Sequence, residues 1–288
     1  MNTAQSDFLQ RNQLPDNYLE QAQKNYKSVL GNFAQQHLKG HSKTRIIAIN
    51  GSQGSGKSTA ADYLCTVIAE QHNITTVALS LDDFYLTKAE RLKLAQDVHP
   101  LLATRGVPGT HDIDLAIATI NGLIAAESPT LVTRFDKSSD DRFPAQQCET
   151  ISGPVGLIVL EGWCMGARAQ KQTELSDPVN QLEDTEDSNG VWRNYVNNAL
   201  AGDYQRLFSM ADTLCMLRAP SFDTIYKWRL EQESKMARPL MNETEILGFI
   251  QYYQRITEHC LQEMPSRADY LFQLDANRQI NGPRGRSH

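Results

Sequence analysis

The chain has 288 residues, 28 Lys+Arg against 34 Asp+Glu for a net charge of −6, and 22% charged and 40% hydrophobic residues. That balance argues against a sequence-independent nucleic-acid binder, which needs basic surface to release counterions, and it is too apolar for a disordered chain. Its 17 Gly and 11 Pro are too few for a collagen-like or linker-dominated chain, and its five cysteines, odd in number and without a CxxC pair, argue against a disulfide scaffold or a cysteine zinc site.

Residues 1–41 read as a polar helical extension with Phe8, Leu9, Leu14, Tyr18, Tyr26, Val29, Leu30 and Phe33 available for packing. The first twenty residues have no basic head followed by an apolar core, so they are not read as a secretory signal. The β-branched run from Arg45 to Asn50 predicts a buried strand ending at a glycine. After Gly56 the spacing of Ala61, Leu64, Cys65, Ile68 and Ala69 becomes helical. Further strands are expected at Thr75 to Leu81, Gly156 to Gly162, Thr213 to Leu217 and Tyr270 to Leu274. Asp112 caps a helix carrying Ile113, Ala116, Ile117, Ile120 and Ile124, and Asn242 with Glu245 starts another. The stretch 172–192 holds six acidic residues and no Lys or Arg, and reads as a solvated, mobile insertion loop; 281–288 reads as a flexible tail. Strands alternating with helices predict an α/β domain with a mostly parallel sheet covered on both faces, its active groups beyond the carboxyl ends of the strands. No linker divides the chain, so 1–288 is expected to be one domain. The longest apolar runs are strand-sized and cannot span a bilayer; a soluble cytoplasmic protein is the expectation.

Gly51-Ser52-Gln53-Gly54-Ser55-Gly56-Lys57-Ser58 matches GxxxxGK[ST] between a strand and a helix, with Thr59 following. Glycines let successive N–H groups turn into one concavity, and the helix start adds its positive dipole end. Lys57 would reach the β- and γ-phosphates of ATP and Ser58 would ligate Mg²⁺. The chain has no NKxD base-reading motif, and its Asp187 to Gly190 spacing lies in the acidic stretch, which disfavours a GTP switch. Asp82-Asp83 ends the second strand. Asp82 there could accept the proton of an attacking hydroxyl, while Asp83 would serve as a cap or support. Glu161 ends the buried strand beside the cradle, where an acid holds the metal or its water; a plain strand-terminal glutamate is the alternative.

With these residues in view, the sequence resembles the D-glycerate 3-kinase family, within the larger P-loop group of phosphoribulokinase, uridine kinase and pantothenate kinase. The resemblance runs from about Ile46 to Ile280 through GSQGSGKST, SLDDFYLT, RGVPGTHD (105–112), Arg134-Phe135-Asp136-Lys137-Ser138 with Asp141-Arg142, LEGW, YKWRLEQE and Leu274-Asp275-Ala276-Asn277-Arg278. It implies a P-loop fold with a five-stranded core, an added N-terminal helix and a lid. It also implies an ATP- and Mg²⁺-dependent transfer of phosphoryl to D-glycerate, giving 3-phosphoglycerate. Arginines should then hold the substrate carboxylate, and Arg105, Arg134 and Arg142 are the candidates, with Asp136 and Asp141 orienting them or reading a hydroxyl. A surface ion pair is the alternative for any one of the three. His111 is a weaker candidate for a substrate contact, and Trp163 is read as core. By analogy with related lids, Arg229 would close over the phosphates, with Lys235 and Arg238 nearby; a solvated helix face with Glu231 and Glu233 is the alternative. Asn277-Arg278 could flank the adenine. Rival readings are a kinase of another alcohol (uridine, pantothenate or a sugar phosphate), a non-catalytic ATP-binding regulator, and a nucleic-acid-stimulated ATPase, the last disfavoured by charge.

Overall fold

A computed structural model describes residues 3–38, 43–234 and 241–285. In chain order the helices are α1 (Thr3–Arg11), α2 (Tyr18–Leu38), α3 (Lys57–His72), α4 (Lys88–Asp97), α5 (Ile113–Ala125), α6 (Gln181–Glu186), α7 (Val191–Ala201), α8 (Asp203–Phe208), α9 (Phe222–Ser234) and α10 (Glu243–Glu263). The strands are β1 (Arg45–Gly51), β2 (Thr75–Ser80), β3 (Thr130–Val132), β4 (Phe135–Asp136), β5 (Asp141–Arg142), β6 (Glu149–Ile151), β7 (Val155–Gly162), β8 (Thr213–Arg218), β9 (Tyr270–Leu274) and β10 (Ile280–Gly285).

The main sheet has the order β10-β9-β8-β1-β7-β2. Five strands are parallel, as the alternating pattern predicts. The sixth, β10, adds an antiparallel edge where a flexible tail is expected from 281. Its Pro283 carries no N–H, which an edge strand tolerates. Alternate residues of the central strands feed two cores. Ile46, Ala48, Ile158 and Leu160 pack with α5, α7, α8 and α10 on one face. Ile47, Ile49, Leu157 and Val159 pack with α1, α2, α3 and α9 on the other. The N-terminal extension belongs to this second core: Phe8 meets the Tyr63 ring edge-on at 5.8 Å, and Tyr26 lies 5.0 Å from Phe272.

The acidic stretch departs most from its sequence reading. It is folded as a 3-10 turn (Gln172–Leu175), α6 and the start of α7, and two of its acids are buried. Arg255 on α10 bonds both carboxylate oxygens of Glu183 (2.7 and 2.6 Å) and the carbonyls of Glu174 and Asp177. Asp187 accepts from the Trp192 and Arg193 N–H groups and from the Arg193 guanidinium. Removing one partner of such a buried pair leaves an uncompensated charge. Arg255→Met is therefore expected to lower stability by about 3–5 kcal/mol in urea denaturation. A loss below about 1 kcal/mol, the range of exposed pairs, would contradict the pairing.

Candidate active site

Parallel strands put their carboxyl ends on one edge, and the catalytic candidates collect there. β7 lies between β1 and β2 and pairs Glu161 with Ile49 on one side and Ser80 on the other. The register thus sets Glu161 between the loop that leaves β1 and the aspartates that follow β2.

The loop from Gly51 to Thr59 has the expected cradle form. Gly54 and Gly56 have φ of 75° and 85°, a region costly for residues with a Cβ. A Cβ on Gly51 would come within 2.5 Å of Ser55 Oγ. α3 starts at Lys57 with no side chain capping its first turn, so those orphan N–H groups remain for a ligand. Buried Ser52 Oγ, Gln53 Oε1, Ser55 Oγ and Glu161 Oε2 also have no hydrogen-bond partner among the described residues, a concentration of unmet polar groups that a bound phosphate and cation would satisfy. Ser58 donates to Glu161 Oε1 at 2.7 Å, and Lys57 Nζ lies 3.9 Å from Glu161 Oε2. The loop is braced from outside: Arg278 Nε donates to the Gly54 carbonyl (2.9 Å), pairs with Glu231 and covers the Trp228 ring, whose Nε1 donates to Ala276 O. Arg278 therefore supports the cradle.

Ser80 caps the turn Leu81–Phe84 through the Asp82 N–H, and Asp83 returns the bond to the Ser80 N–H. Asp83 completes the capping box by accepting from the Ser80 N–H, and it pairs with Arg134 at 2.7 Å. Asp82 is left facing the site, where Tyr85 Oη donates to one of its oxygens (2.9 Å) and Lys137 Nζ to the other (2.8 Å). Burial opposes its ionisation, but Lys137 and Lys57 prevail and hold its pKa at about 2.

Lys137 comes from a hairpin the sequence does not announce. β4 and β5 pair Phe135 with Arg142 and Asp136 with Asp141, with Lys137 in the connecting turn. Arginine–oxygen contacts tie this hairpin over the end of β2. Arg134 reaches Asp83 and the Ala78 carbonyl; Arg142 reaches Asp112 (3.0 Å) and the Tyr85 carbonyl (2.9 Å). Arg91, only 1% exposed, binds Asp140 and the Ala103 carbonyl, and Arg105 shares Asp140. All three arginines proposed for a substrate carboxylate therefore already face carboxylates; Arg134 and Arg142 take the ion-pair alternative, while Arg105 shares its Asp140 with Arg91. Asp136 accepts from the Ser138 N–H and hydroxyl, which shapes the turn and holds its pKa near 2. Asp141 likewise bonds locally, to the Arg142 N–H. A lysine in a turn flanked by Asp136, Asp140 and Asp141 was the available signal for Lys137, but its partner lies 55 residues earlier.

The RGVPGTHD loop is clamped beside Asp82. Trp163 Nε1 donates to the Gly106 carbonyl (2.9 Å), and Gly106 and Gly109 take φ of 139° and 96° under Tyr253 and Tyr195. Trp163 is thus a core residue that fixes the loop. Arg229 lies over the Phe249 ring and pairs with Glu233 at 2.7 Å, so reaching a phosphate means exchanging that partner. Lys235 and Arg238 lie outside the described residues. Removing Lys137 should free Asp82 to protonate: at pH 4 the Asp82 carboxyl carbon should keep a carboxylate shift in the wild type and move toward the acid form in Lys137→Met. Identical shifts in the two proteins would contradict the coupling.

No helix among the described residues is long and apolar enough to cross a membrane. No family model matches the chain. Among curated proteins it is 31% identical over 266 residues to the Schizosaccharomyces pombe protein named Uncharacterized kinase mug58, covering 86% of this chain and 89% of that one. It is 27% identical over 223 residues to the chloroplastic D-glycerate 3-kinase of Arabidopsis thaliana, covering 72% of this chain and 46% of that longer protein. The solved structure of D-glycerate 3-kinase from Cryptococcus neoformans shares the fold, with a TM-score of 0.75 and 22% identity over 90% of this chain and 98% of that one. The chain therefore belongs to the same kinase family as the Schizosaccharomyces pombe protein, and it has the P-loop kinase fold.

Proposed function

We propose that this protein transfers the γ-phosphoryl group of ATP to the 3-hydroxyl of D-glycerate, giving ADP and 3-phosphoglycerate. The observation that carries the reading is an ionised carboxylate, Asp82, one strand away from the Ser58–Glu161 pair and the cradle. Asp82 takes the proton of the attacking hydroxyl, that oxygen bonds to the γ-phosphorus, and the bond to the β-phosphate oxygen breaks with the electron pair leaving on ADP. Lys57 and the open N–H groups of the cradle hold the developing phosphate charge, and Arg229 joins them once released from Glu233.

Ser58 and Glu161 suit Mg²⁺: both offer hard oxygen, and Glu161 Oε2 is buried without a hydrogen-bond partner. Bound there, Mg²⁺ would neutralise charge on the β- and γ-phosphates. Lys137 has a second task. While it pairs with Asp82 that carboxylate is a weak base, and a glycerate carboxylate drawing Lys137 toward itself and Arg105 would restore its basicity. Arg134, Arg142 and Asp136 then act by holding the hairpin. Five unpaired cysteines suit a reducing compartment such as the cytoplasm.

The test is coupled ADP release from purified protein with ATP, Mg²⁺ and a panel of D-glycerate, uridine, pantothenate and a sugar phosphate. Turnover with D-glycerate well above the others is expected. Turnover with another member and none with glycerate would replace the acceptor, and nucleotide binding without turnover of any would favour a regulator.

A further inference from the structure

His111 is 5% exposed, and its Nε2 is enclosed without a hydrogen-bond partner among the described residues. Its other nitrogen, Nδ1, lies 2.6 Å from the hydroxyl of Tyr204, and that hydroxyl accepts from the Gly109 N–H at 3.0 Å. These contacts fix the tautomer. Tyr204 is 1% exposed, and a proton on Nδ1 would leave its O–H without an acceptor among the described residues. The relay therefore runs Gly109 N–H to Tyr204 O–H to Nδ1, and the imidazole carries its own proton on Nε2. Burial also keeps the ring uncharged, lowering its pKa to about 4. The ring stacks on Tyr85 at 4.4 Å, and the Tyr85 hydroxyl holds Asp82. The result is a neutral donor, fixed by its neighbours and unspent within the protein, one aromatic ring from the base.

We propose that His111 reads the acceptor, its Nε2–H donating to the 2-hydroxyl oxygen of a 2,3-dihydroxy acid whose 3-hydroxyl is presented to Asp82. This rests on the function proposed above. The charges divide the acceptor's oxygens: cationic Lys137 and Arg105 suit the carboxylate, which leaves a neutral oxygen for a neutral donor. An imidazolium in the same place would compete with the hydroxyl proton for Asp82. A buried donor also selects, because an acceptor without the matching oxygen leaves the N–H unpaired.

The experiment compares kcat/KM for D-glycerate and for 3-hydroxypropionate, which lacks only the 2-hydroxyl, in the wild type, His111→Phe and His111→Gln. The wild type should prefer D-glycerate by at least about a hundredfold. In His111→Phe the preference should fall by at least about tenfold, and His111→Gln, which keeps an N–H near the Nε2 position, should recover part of it. A fold defect would lower both substrates together and leave the ratio unchanged. An unchanged ratio in His111→Phe overturns the assignment of His111 while the kinase reading stands. A wild type inactive on D-glycerate overturns both.

Discussion

Asp82→Asn should reduce kcat with D-glycerate by at least about a hundredfold, the lower end of what a positioned general base contributes. The substitution keeps the side chain's size and one of the two accepting oxygens, and the turn that Ser80 and Asp83 cap does not use the Asp82 side chain, so it is expected to persist. It removes the atom that takes the hydroxyl proton. ATP affinity should change little, because the cradle residues Gly51 to Thr59 are untouched. Steady-state kinetics together with nucleotide titration checks this, and a variant retaining near-normal turnover removes Asp82 from the mechanism.

Lys57→Met should lower kcat by about 10²- to 10³-fold, the range for loss of one group aimed at developing charge. Lys57 begins α3 and its ammonium is 3.9 Å from Glu161, the carboxylate proposed for the metal; in the proposed mechanism it also meets the phosphates. The methionine preserves the bulk of the stem without the charge. Less than a tenfold loss, with circular dichroism unchanged, would mean that the cradle holds the transferring group without it.

Much of this arrangement is legible in the residues because its chemistry is local. Eight contiguous residues specify the cradle, and short apolar runs of strand length mark the five parallel strands. Ser80 and Asp83 are close enough for the cap to be foreseen. What escapes depends on partners far along the chain. Glu183 and Asp187 read as solvated acids because Arg255, 72 residues on from Glu183, and Arg193 are outside the window that is acidic by composition. The β4–β5 hairpin has two residues per strand, too few for any periodicity, and is held by Arg91, Arg105, Arg134 and Arg142 instead. Arg134 and Arg142, in polar loops, look like substrate ligands until the carboxylates opposite them are located. The same distance effect hides Lys137, whose role follows from Asp82 alone, and His111, whose tautomer is set by Tyr204, 93 residues later.

The phosphorus-31 spectrum of the products from ATP, Mg²⁺ and D-glycerate tests the account most directly. An ester resonance split into a triplet by the two C3 protons, matched one for one by ADP, is the predicted result. A doublet from a C2 ester, or inorganic phosphate alone beside ADP, would contradict it.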